Sequence, residues 1–211
     1  MPSTRTDIFN NALSMYGHTL LSSDEDDTPE ARELRSKWDS TVRYCLERGK
    51  WNFAEKLSIS SPLDNQQTTY GFDNAFNKPP DWAGTNNINE CDDRDYELRP
   101  EQWRDSGGKI YANALVLYHW YNSDSVKNTP GVFSQSFSDY LSARLAVLTV
   151  YRISPSNTVM EGLRGEEQRR LNIAQGFDGR NNPPQRYPSG RIARARRGYY
   201  GFATGSGGRY R

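Results

Sequence analysis

The side chains of this 211-residue sequence that could do chemistry are two histidines, two cysteines, two acidic runs and an arginine-rich, aromatic tail. His18 follows Gly17, and His119 alternates with apolar residues in a strand-like run. Neither has a second His or Cys at ligand spacing, so both read as surface or edge histidines. Asp92, Asp93 and Asp95 form a dense acidic loop, and Asp24-Glu25-Asp26-Asp27 forms another. The second lacks the alternating ligands and central glycine of a calcium loop, and the first reads as a hydrated loop. Cys45 and Cys91 have no metal-ligand spacing and no secretory leader before them, which predicts free thiols in a reducing cytoplasm. Gly205-Ser206-Gly207-Gly208 neither follows a strand nor opens a helix, the context a phosphate cradle requires. With no nucleophile placed near a base in the pattern, the expectation is a protein without catalytic residues, metal or cofactor.

One signal is positive. Arg186, Arg191, Arg194, Arg196, Arg197 and Arg209 interleave with Tyr187, Tyr199, Tyr200, Phe202 and Tyr210. Arginine among aromatics suits phosphates and stacked bases, and it suits protein interfaces equally; a tail with no role is the third reading. The charge is lopsided. Residues 181 to 211 hold seven Arg, no Lys and no acid, so a chain of net +1 leaves −6 on residues 1 to 180. An acidic body carries a basic arm.

The elements that position these residues are read from periodicity. Ile8, Phe9, Ala12, Leu13 and Tyr16 predict a short helix ended by Gly17. Thr28 as N-cap and Pro29 at the first position open a long helix, on which Ala31, Leu34, Trp38, Val42 and Cys45 share a face. Gly49 ends it, read as a left-handed cap. From Trp51 a strand is predicted to Ile59, followed by a loop over Asn74–Gly84 and a strand region over Tyr96–Trp103. Asp105-Ser106-Gly107-Gly108 supplies a turn, and alternation resumes over Lys109–Tyr111 and Ala114–Trp120. Phe137, Tyr140, Leu141, Leu145 and Leu148 predict the most apolar helix, stopped by Ser154-Pro155. A second helix follows from about Asn157 to Gln175. After Gly176 the composition denies the chain a core of its own. No apolar run approaches the roughly 18 residues a membrane span needs.

This order of elements, with Arg48-Gly49-Lys50-Trp51-Asn52-Phe53-Ala54, Phe76-Asn77-Lys78-Pro79-Pro80-Asp81-Trp82 and Gly107-Gly108-Lys109-Ile110-Tyr111-Ala112-Asn113, resembles the head-to-tail adaptors of tailed phages. The closest likeness is to the tail tubular A type of short-tailed phages, over about residues 5 to 178. In that family an Arg and a strand usually follow the proline-aspartate element; here Trp82-Ala83-Gly84-Thr85 follows. The resemblance implies an α+β fold: an antiparallel helical bundle from residues 1–50 and 131–180, a small β domain inserted over 51–130, and an extended C-terminal arm over 181–211. It implies a virion protein assembled in the host cytoplasm as a twelvefold ring between the portal protein and the tail nozzle or tail tube protein. Genome DNA would pass through the lumen without specific binding. The arm would reach the portal, a role carried to Arg191, Arg194, Arg196, Arg197, Tyr199 and Tyr200.

Three classes of function follow, in order: a structural connector, a nucleic-acid-binding protein whose tail grips phosphates, and an enzyme. Trp51 and Phe53 are expected in the core at the joint between helix and strand. Trp51 and Trp120, near the two chain crossings, are expected to pack the inserted module against the helices.

Overall fold

The computed structural model of the protein describes residues 3–64, 70–90, 98, 102–153 and 157–181. The fold is α+β, with four α-helices and two small antiparallel sheets among the described residues. Helix α1 spans Arg5–Ser14 and α2 spans Pro29–Glu47. Both open as their sequences dictate. Thr4 and Asp7 form a reciprocal capping box on α1, while Thr28 accepts from the Ala31 N–H at 3.2 Å ahead of Pro29 on α2. Helices α3 (Gln135–Ile153) and α4 (Asn157–Asn181) follow the strands, and α3 touches all three other helices.

That central place explains why α3 is the most apolar helix. Phe137, Tyr140, Leu141, Leu145, Ala146 and Val150 are all fully buried. They share one continuous core with Ile8, Phe9 and Leu13 of α1, Leu34, Trp38 and Val42 of α2, and Leu163, Leu171 and Ala174 of α4. Helix α4 runs beyond Gln175 to Asn181, past the predicted end, because its last turns have a partner: Asp178 is buried against the chain at Asn52.

The strands are β1 (Glu55–Ser60), β2 (Asn74–Asn77), β3 (Trp82–Asn89), β4 (Trp103–Ser106), β5 (Lys109–Ala112) and β6 (Leu117–Ser123). They pair as β1-β6-β3 and β2-β5-β4. Gly107 and Gly108, with φ of +58° and +77°, make the two-residue turn between β4 and β5. Only a residue without a Cβ takes that turn at no steric cost. A second, smaller core fills the β region from Phe76, Ile88, Leu98, Ile110, Ala112, Ala114 and Leu117.

Several predicted boundaries shift. The predicted strand from Trp51 starts only at Glu55, because the Ala54 N–H bonds back to the Trp51 carbonyl at 3.0 Å and closes a turn. The predicted loop over Asn74–Gly84 contains β2 and the start of β3, with Pro79-Pro80 confined to the connection where no ladder bond is lost. The strand predicted over Ala114–Trp120 lies three residues later, and Leu115 is 83% exposed. Of the Tyr96–Trp103 region, residues 96, 97 and 99–101 lie outside the described residues, as does the stop at Ser154-Pro155.

The boundary expected at residue 51 runs through the helical core rather than beside it. Trp51 and Ala54 belong to that core, and so does Ala83 from β3. Trp51 is fully buried, its ring centroid 4.8 Å from Phe137 in an edge contact and 6.5 Å from Tyr140. Phe53 is half-buried, 4.8 Å from Phe137 and 5.5 Å from Phe133. Trp120 lies buried on the central strand β6 beside Tyr118, outside the two core clusters of the described residues.

The unequal burial makes a testable distinction. Trp51→Ala is expected to cost about 3 to 5 kcal/mol in urea denaturation, the range for deleting a buried aromatic. Phe53→Ala, whose ring keeps contact with water, is expected to cost less than half of that. Equal losses at the two positions would contradict the packing.

Candidate functional site

The arm residues singled out by composition, Arg191, Arg194, Arg196, Arg197, Tyr199 and Tyr200, lie outside the described residues, as do Asp92, Asp93, Asp95 and Cys91. The described residues bring the other two motifs together, at the joint where the helices meet the sheet.

The joint begins at the end of α2. Gly49 is not left-handed; its need for glycine is one of space. A Cβ there would lie 2.9 Å from Cζ2 and 3.0 Å from Cε2 of Trp51, closer than van der Waals contact allows. The indole lies against the glycine and donates from Nε1 to the Cys45 carbonyl at 3.0 Å, satisfying a backbone acceptor of the last helical turn.

Asn122 of β6 completes the joint from the other side. Its Nδ2 donates to the Leu46 carbonyl at 2.9 Å and the Gly49 carbonyl at 2.7 Å. Its Oδ1 accepts from the Trp51 N–H at 3.3 Å and from Asn86 Nδ2 at 3.0 Å. At 1% exposure every hydrogen-bonding position of this amide is used. The sheet is shaped for this meeting. Register shifts in β3 at Trp82/Gly84 and Thr85/Asn87 add Ala83 and Asn86 as extra residues, turning Ala83 into the helical core and Asn86 onto Asn122. Helix α4 closes the third side: Asp178 accepts from the Asn52 N–H at 3.1 and 3.2 Å, and Gln175 Nε2 donates to the Arg48 carbonyl at 2.7 Å. Burial pushes the Asp178 carboxyl up from its ordinary value, against the pull of the Asn52 bonds.

The Phe76–Trp82 motif serves the same junction. Phe76 fills the β core, and Lys78 lies 3.6 Å from the Trp82 ring centroid while pairing with Asp105. Asp81 accepts from Lys56 Nζ at 2.7 Å, Ser123 Oγ at 2.6 Å and Tyr121 OH at 2.9 Å, and its carbonyl accepts the Asp124 N–H at 2.8 Å. Burial alone would raise the Asp81 carboxyl, but the three donors outweigh it and hold it at about 2. Burial, with the Asp81 carboxylate next, pushes Tyr121 up to about 12. A carboxylate fixed as an acceptor and a phenol fixed as a donor have no proton to exchange near neutral pH. The cluster ties β1, β6 and the Pro-Asp turn together.

His119 is not the surface or edge histidine that its sequence pattern suggests. It is 1% exposed on the central strand, with Nε2 3.0 Å from Thr85 Oγ1. Trp82 Nε1 donates to that same hydroxyl oxygen at 3.1 Å. Burial, and then the Lys78 charge, push His119 down to about 4. His18 is half-buried and lies 3.8 Å from Glu30. Cys45 is a buried free thiol whose pKa burial raises.

Among the described residues no group of three or more His, Cys, Asp or Glu is placed to hold a metal ion, and no helix is long and apolar enough to cross a membrane. No protein-family model matches the sequence, and no curated protein matches it. Polar groups at the joint left no signal in sequence, since Asn86, Asn122 and Asp178 stand in runs of unremarkable polarity. The quoted motifs were the only pointer.

Two measurements follow. Asn122→Leu strands two carbonyls, one backbone N–H and the Asn86 amide, and is expected to cost about 3 kcal/mol or more in urea denaturation. For His119, the folded pKa lies below the unfolded 6.5, so the unfolded chain binds more protons between pH 6.5 and 4. The His119 contribution should therefore lower stability as pH drops through that window, by about 3 kcal/mol in total, and change no further below it. The Asp81 contribution is lost only lower, between its model-peptide value of 3.8 and about 2, so the two separate. A His119→Gln variant whose stability kept the parent's slope from pH 6.5 to 4 would refute the assignment.

Proposed function

We propose that this protein is a structural connector of a phage virion, a homo-oligomeric ring joining the portal vertex to the tail nozzle. In this reading the four helices are the antiparallel bundle of a head-to-tail adaptor, the strands are its inserted β domain, and residues 181–211 are an extended arm that docks on the portal. The role is architectural, without catalysis.

The observation that carries the proposal is the joint itself. Two of the three sequence motifs on which the adaptor resemblance stands, 48–54 and 76–82, meet at one junction of buried and half-buried hydrogen bonds between helices and sheet. A load-transmitting part of a virion needs its layers held at one angle, and a buried, fully satisfied polar network supports that. The charge distribution is a second support: a body of −6 would not grip a duplex passing beside it, whereas an arm with seven Arg can pair bidentately with carboxylates of a protein surface. Arginine rather than lysine throughout the arm suits that geometry.

The test is deletion of residues 182–211, with folding, portal binding and DNA binding measured side by side over a range of salt. The expected outcome is an unchanged melting temperature, lost portal binding, and rings visible in images only when the full chain is mixed with the portal. Arm-dependent DNA affinity exceeding portal affinity at physiological salt would replace the proposal with nucleic-acid binding.

A further inference from the structure

A groove of ≈ 500 Å³ lies where α2, α3 and α4 meet, on the helical body. Each helix contributes one face to it: Tyr44 and Arg48, then Arg144, Val147 and Leu148, then Met160, Arg164 and Glu167. These spacings of three and four residues are those that place side chains together on a helix. Three guanidiniums meet one carboxylate, a formal excess of two positive charges in a protein whose body is otherwise acidic.

The charges are held, not merely near. The Arg144 guanidinium carbon lies 4.1 Å from the Tyr44 ring centroid and that of Arg48 lies 5.1 Å from it, so one ring gathers two cations. Glu167 pairs with Arg144 at 3.3 Å. Among the described residues no carboxylate pairs with Arg48 or Arg164, and Arg144 Nε is buried with no protein partner. Gathering like charges costs free energy that an incoming anion would return. The apolar wall of Val147, Leu148 and Met160 asks for something besides an anion.

We propose that this groove docks an acidic, partly apolar segment of a partner protein. Carboxylates would take the free guanidinium edges bidentately while aliphatic side chains cover Met160 and Val147. A nucleic acid fits less well, because a polyanion would have to approach across the acidic body and has nothing to set against the apolar wall. The chain's own acidic run at residues 24–27 is a poor occupant, since three of its four carboxylates are already engaged. Asp24 pairs with Arg5 at 3.2 Å, Asp27 with Arg32 at 2.8 Å, and Asp26 accepts the Ser22 and Ser23 N–H groups. The docking site does not depend on the connector reading.

The experiment uses the full chain and a short peptide of alternating Glu and Leu carrying a benzophenone, with cross-links mapped by mass spectrometry. Mapping separates the groove from the basic arm, which also attracts acidic peptides. Cross-links are expected at Tyr44, Val147 and Met160. They should fall about tenfold in Arg48→Ala/Arg164→Ala, two exposed positions whose loss should leave the melting temperature unchanged. They should be unchanged in Arg32→Ala, at the other end of α2, and absent with the peptide in which Gln replaces Glu. Cross-links confined to residues 182–211, or a groove yield that the double variant does not lower, would overturn the site. Displacement from the groove by a single-stranded oligonucleotide at lower concentration than by unlabelled peptide would overturn the choice of a protein partner.

Discussion

The side-chain amide of Asn122 is the point on which the helices, the sheet and the turn between them depend. It sits on the central strand of its sheet, so it cannot move without β1 and β3, and it holds two carbonyls at the end of α2. A buried amide is expensive unless each of its donors and acceptors is met, and this one is met four ways by groups from three segments. The interaction is therefore directional where hydrophobic contact is not. The apolar surfaces of Trp51, Ala54 and Ala83 would pack at a range of angles, and the hydrogen bonds select one.

The remaining polar ties extend the same constraint outward. Asp81 binds β1 to β6 through Lys56, Tyr121 and Ser123, and Asp178 binds the end of α4 to Asn52. These are buried or half-buried groups whose shifted pKa values record the environment they occupy. Asp81 is held ionised by its donors, whereas Asp178 is raised by burial that its two bonds do not fully offset. The two cores are thus joined less by a shared apolar interface than by a polar seam, with aromatic packing on its helical side.

Both roles proposed for this protein belong to its surface. Positive charge gathers in the groove between α2, α3 and α4 and, in the sequence, over residues 181–211. The two differ in kind. The groove is preformed by three helices, so little ordering entropy opposes binding there, whereas the arm is marked out by its composition alone.

The sequence by itself determined the helices, because caps and apolar spacing are local: Thr28-Pro29, the face from Ala31 to Cys45, and the face from Phe137 to Leu148 each need only neighbours a few residues away. It determined the Gly107-Gly108 turn for the same reason. Only the tertiary structure decided the start of the strand after Trp51, since the indole's place depends on Phe137 and Tyr140, more than 80 residues on. Only it decided that Gly49 is required by space and not by backbone conformation. Burial of His119 and the roles of Asn86, Asn122 and Asp178 were equally out of reach, because a polar side chain carries no mark in sequence of the distant carbonyl or amide it will meet. The apolar pattern is written locally, while the polar seam exists only once strands and helices from distant parts of the chain have come together.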